Sequence, residues 1–89
     1  MNVNTPENVK KIGDDFFTII TEWFNEIGIE KPTRDQILNA NDYHDANMAM
    51  HEAFLKSGLD PSTDGNLNDD NYIELWNSAF NHAAERASS

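Results

Sequence analysis

The chain contains no cysteine. That removes disulfides, thiolate metal sites and thiol catalysis, and leaves the redox compartment undecided. Positive charge is scarce: 6 lysines and arginines stand against 16 aspartates and glutamates, for a formal charge of −10. Direct binding to nucleic acid or to an anionic membrane needs cationic side chains and is not expected. Long apolar runs are missing as well, so no segment is expected to span a bilayer. The opening stretch MNVNTPEN has neither a basic region nor an apolar core, so no secretory signal is read and a cytoplasmic location is the expectation. No nucleophile elbow, phosphate-binding glycine loop or zinc-protease motif occurs, and each of those chemistries needs its residues at a fixed spacing. Carboxylate pairs such as Asp14-Asp15 and Asp69-Asp70 lie off the apolar faces, where burial would be needed to raise one pKa for acid–base work. An enzyme is not expected, nor a bound organic cofactor.

What the chain does have is apolar periodicity. From Glu7 to Ile27, the residues Val9, Ile12, Phe16, Ile19, Ile20, Trp23, Phe24 and Ile27 recur at steps of three and four. They fill an arc of about 160° on a helix, with Phe17 at its edge. Lys10, Lys11, Asp14, Asp15, Glu22 and Glu26 fall opposite. Such a helix exposes too much aromatic surface to stand alone, so the rest of the chain must cover it. Thr5-Pro6 is its start, with a hydroxyl to cap free amides and a proline suited to the first position. Gly28 is its left-handed stop, with Ile29 placed for the contact that follows such a cap. Gly13 lies inside the apolar arc, at a cost that a close helix crossing would explain.

Thr33 and Gln36 form a capping box for a second helix, and the Asn39–Asp42 run predicts a break near Asn41. A third helix is expected from about Asp42, ending at Gly58. Its apolar residues make two stripes. Tyr43, Ala46, Met50, Ala53 and Phe54 form one, Met48 and Leu55 the other, with His44 and His51 beside them. Two stripes predict neighbours on two sides. In the last helix Tyr72, Leu75, Trp76, Ala79, Phe80 and Ala83 form the apolar face, with Ile73 and Ala84 on its flank. The reading is an all-α, small four-helix domain with helices near residues 6–27, 34–40, 42–57 and 70–86. It is read as one domain over 1–89, with 1–4 and 87–89 as loose tails.

Between the last two helices, Asp60 to Asn71 reads DPSTDGNLNDDN. Asp60, Ser62 and Asp64 offer side-chain oxygens at alternate positions, Gly65 permits a sharp turn, and Leu67 is apolar. The stretch resembles the twelve-residue calcium loop of the EF-hand family. The resemblance implies calcium held by Asp60, Ser62, Asp64, the Asn66 carbonyl and Asn71. Asn71 departs from the family, which has a bidentate glutamate or an aspartate there; an amide supplies less charge and weakens the site. The competing reading is an acidic turn that ends in a helix cap.

The other candidates are surfaces. His44 and His51, seven residues apart on one helix, would be about 10.5 Å apart along its axis, too far to share one metal ion. His82 is on another helix and is expected to meet either only by chance of packing. Asp15, Glu22 and Glu26 line one stripe of the first helix, with Asp14 on a neighbouring one. A row of carboxylates on a rigid helix can imitate a phosphate backbone. In size and charge the chain is similar to small acidic inhibitors encoded by phages, including anti-CRISPR proteins. That likeness implies a protein partner, one that itself binds nucleic acid. An ordinary solvated face is the competing reading. The surplus of aromatics is read chiefly as core, with part of it open to a homodimer face or a partner groove.

Overall fold

The computed structural model describes residues 3–59 and 70–88. Its first helix, α1, spans Pro6–Glu26. Thr5 caps it: the Asn8 amide donates to the Thr5 hydroxyl at 3.2 Å, and Pro6 takes the first turn, where no intrahelical amide partner is available. Ile12, Phe16, Ile19, Ile20 and Phe24 are buried, so the predicted arc is the core-facing side of α1. Ile27 is the exception. The helix stops one residue earlier than predicted, which makes Ile27 the cap and leaves it exposed. Gly28 then takes a positive φ of 92°, and the Ile29 amide reaches back to the Phe24 carbonyl at 2.8 Å. The chain turns there by a paired-carbonyl stop that only glycine adopts without strain.

The second helix, α2, is a short piece over Arg34–Leu38 opened by the Thr33–Gln36 capping box. The third, α3, spans Ala46–Lys56, and the fourth, α4, spans Asp70–Ser88. Further predicted bounds need correction, since α2 ends at Leu38 rather than near residue 40. α3 does not begin near Asp42: a 3-10 turn occupies Ala40–Asp42, and Tyr43 and His44 precede the helix. Asn41 and Asp45 cause the delay. The Ala46 amide donates to Asn41 Oδ1 at 2.9 Å and the Asn47 amide to Asp45 Oδ1 at 3.1 Å. Short polar side chains thus satisfy amides that a longer helix would have used. The tails are also shorter than predicted. Val3 is buried and its carbonyl accepts from Asn8 Nδ2 at 2.9 Å, while α4 continues through Ser88.

The described residues form an all-α domain without strands. α1 packs against both α4 and α3 through its buried face, and α2 packs on α4. Gly13 sits at the crossing of α1 with α4. The backbones of α3 and α4 stay apart, bridged by Phe54, whose ring meets those of Tyr72 and Trp76 at 6.2 and 5.4 Å between centroids. That gap is the main departure from a closed bundle. No helix among the described residues is long and apolar enough to cross a membrane.

Candidate protein-binding surfaces

Among the described residues, three places carry chemistry. The first is the seam between α1 and α4. Asp14 Oδ1 lies 2.8 Å from His82 Nε2 and accepts from Arg86 Nη1 at 3.1 Å, while Oδ2 accepts from Lys10 Nζ at 3.2 Å. The Arg86 guanidinium also lies 4.6 Å over the Phe17 ring, a cation–π geometry. Burial pushes the Asp14 carboxyl up, but hydrogen bonds from His82 and Lys10 and the charges of Lys10 and Arg86 outweigh it. The net effect holds the group below its ordinary value. Asp14 therefore belongs to a structural ion cluster. Its charge is balanced from within, which corrects its place on a solvated acidic face.

The second place is the rest of that face. Asp15 is half-buried, and Glu22 and Glu26 are exposed. Glu22 and Glu26 stand at i and i+4, a like-charge spacing that destabilises a helix by a few tenths of a kcal/mol. They also lie toward the C-terminal end of α1, whose last turn holds no basic residue, so the helix dipole opposes them. Lys10 and Arg86, the cations of the α1–α4 seam, are both committed to Asp14.

The third place was not singled out in the sequence. α3 and α4 leave between them a cleft of about 500 Å³ lined by Met48 and His51 of α3 and by Tyr72, Ile73 and Trp76 of α4, with Asn47 and Asn77 at its margins. Met48 is 63% exposed and Ile73 45%. The signal in the sequence was the second apolar stripe of α3. It predicted a second neighbour, and the described chain supplies none: Met48 and Leu55 both face outward.

The histidines do not converge. His44 lies outside α3, so the helical spacing assumed for His44 and His51 does not apply. Its ring stacks on Trp23 with centroids 3.9 Å apart, and its Nδ1 accepts from the Asp45 amide at 2.8 Å, which places the proton on Nε2. His82 meets Asp14 rather than another histidine. Among the described residues no group of three or more histidine and acidic side chains is placed to hold a metal ion. Of the predicted calcium ligands, Asp60, Ser62, Asp64 and Asn66 lie outside the described residues, and Asn71 sits half-buried in the first turn of α4. Comparison with protein-family models, with curated proteins and with solved structures returns no match.

Proposed function

We propose that this protein is a non-enzymatic, acidic binding module whose partner is a cationic protein, of the kind that itself binds nucleic acid. The observation that carries the reading is the Glu22–Glu26 pair: exposed, like-charged at i, i+4, and set against the helix dipole. Residues that cost local stability and have no partner among the described residues are the ones to read as functional. With Asp15 they make a row spaced by about 10.5 and 6 Å along the axis, on a helix anchored through its opposite face. Asp14 is left out of this row, because Lys10, His82 and Arg86 already answer its charge. An inhibitor that occupies a nucleic-acid cleft is the role such a row suits.

The test is chromatography of host proteins over the immobilised chain and over its Asp15→Lys/Glu22→Lys/Glu26→Lys variant. A partner should be retained by the first, lost by the second, and released as salt rises, since exposed charges are screened beyond about 8 Å at physiological ionic strength. Equal retention by both chains would remove the acidic row from the account.

A second reading, calcium binding at Asp60 to Asn71, has one supporting observation. α3 ends at Lys56 and α4 begins at Asp70, so a helix precedes and a helix follows the twelve-residue stretch, as that loop requires. The donors are all hard oxygens, which suit calcium, but the amide of Asn71 can give only one of them. The chemistry is that of a weak site.

A further inference from the structure

We infer that the cleft between α3 and α4 is a docking groove for the apolar face of a basic amphipathic helix presented by the protein partner. This rests on the reading of the molecule as a binding module for a cationic protein, and it names the second half of the contact. The groove follows from how the helices are held. α3 and α4 both pack on α1, yet their own backbones stay apart. Tyr72 and Trp76 line the base of the groove, backed by the buried Phe54 ring. Above that floor Met48 and Ile73 project outward, 63% and 45% exposed, on facing walls. Leu55, seven residues on from Met48 on the same stripe of α3, is 51% exposed. The opening of about 500 Å³ falls in the range that holds buried ligand groups, roughly 300–1,000 Å³. An apolar trench with a helix on each side suits a third helix with anchors at i, i+3, i+4 and i+7.

The charge around the trench selects among occupants. Asp45, the N-cap residue of α3, and Glu52 stand about one turn to either side of Met48, and Asp70 stands one turn before Ile73 on α4; all three are exposed. The one basic residue of these helices near that end is Lys56. A second copy of this chain would bring −10 against −10 and set like charges across the rim, which is disfavoured. A segment with leucine-type anchors and lysine or arginine flanks satisfies both the floor and the rim. Met48 favours such an occupant because its flexible thioether adapts to the side chain it meets.

The experiment uses the full chain and a synthetic lysine–leucine peptide of about 15 residues, long enough to lie along α3 as a helix. Two controls share its length: a scrambled order without an apolar face, and a glutamate–leucine twin with the same face. Calorimetry gives affinities, and amide chemical shifts give the location. The expected result is binding of the lysine–leucine peptide alone, with shifts centred on residues 47–55 and 72–77. The Met48→Ser/Ile73→Ser variant, altered only at exposed positions, should melt as the wild type does and bind about tenfold or more weakly. The Asp15→Lys/Glu22→Lys/Glu26→Lys variant should keep the groove shifts. Equal binding of the scrambled peptide, groove shifts produced as well by the glutamate twin, or shifts confined to α1 would overturn the groove. So would a wild-type dimer in sedimentation that the Met48/Ile73 variant abolishes, which would assign the cleft to a second copy. Groove binding that persists while the α1 triple variant keeps its native partner would instead refute the acidic row and leave the groove standing.

Discussion

The His82 ring fills the space in which a side chain at Gly13 would begin: a Cβ there would lie 2.6 Å from His82 Cδ2 and 3.0 Å from the Ala79 carbonyl oxygen. The missing methyl lets α4 approach α1 closely enough for His82 to reach Asp14, one residue along. Gly13→Ala should therefore destabilise the fold despite alanine's better helix propensity. Propensity favours alanine by about 1 kcal/mol, whereas overfilling a packed contact costs about 1–3 kcal/mol, and the Ala79 carbonyl is backbone that cannot rotate away. A net loss of about 1 kcal/mol would lower the melting temperature by roughly 4–8 °C in a domain of this size. A melting temperature at or above that of the wild type would show that the crossing is looser than described.

The same seam predicts a pH dependence. The folded Asp14 carboxyl titrates below its ordinary value of 3.8. Its ion cluster therefore contributes stability that is fully present above that value and is lost as pH falls through the lower, folded one. Asp14→Asn removes this contribution. The wild type should be the more stable of the two at neutral pH, and its lead should shrink as the pH drops below 3.8. Urea titrations of both chains across the acid range check this. A lead that stays constant down to the lowest pH would mean the carboxylate's charge is not what matters there.

Local signals were legible in the sequence because their partners are near in the chain. The Thr5 cap, the Thr33–Gln36 box, the Gly28 stop and, Ile27 apart, the core-facing arc of α1 stand where the residues place them. What stayed hidden depends on distant residues. Asp14 and His82 are 68 residues apart in the chain, and nothing in the pattern of α1 marks one of its carboxylates as spoken for. The stacking of His44 on Trp23 is hidden in the same way. The second stripe of α3 is legible as apolar, but whether a neighbour covers it depends on the separation of α3 and α4, which periodicity does not report.

The start of α3 departs from its apolar spacing for a different reason. Apolar spacing continues back through Tyr43, yet Asn41 and Asp45 take the amides of Ala46 and Asn47 and stop the helix there. Asp45→Ala should cost about 1 kcal/mol, the usual loss for an N-cap, read as a lower urea midpoint with an unchanged slope. If Asp45→Ala proves neutral or stabilising, the helix extends back toward Asp42 once the competing side chain is gone.

Calcium supplies the last prediction, because it separates the loop from the acidic surfaces. Thermal melts in chelator, in millimolar calcium and in millimolar magnesium treat the two ions as equal in charge but unequal in fit: calcium accepts irregular oxygen cages, and magnesium demands a tight octahedron. A site filled at 100 times its dissociation constant adds about 2.7 kcal/mol to the folded state. That would raise the melting temperature by several degrees in calcium alone, and the combined Asp60→Ala/Asp64→Ala change should erase the rise. Equal rises in both ions would instead reflect screening of a chain whose formal charge is −10. They should shrink in Asp15→Lys/Glu22→Lys/Glu26→Lys and survive Asp60→Ala/Asp64→Ala to a greater degree than a calcium-specific rise, because screening follows total charge rather than one loop. No rise in either ion would reduce Asp60 to Asn71 to a connection between α3 and α4.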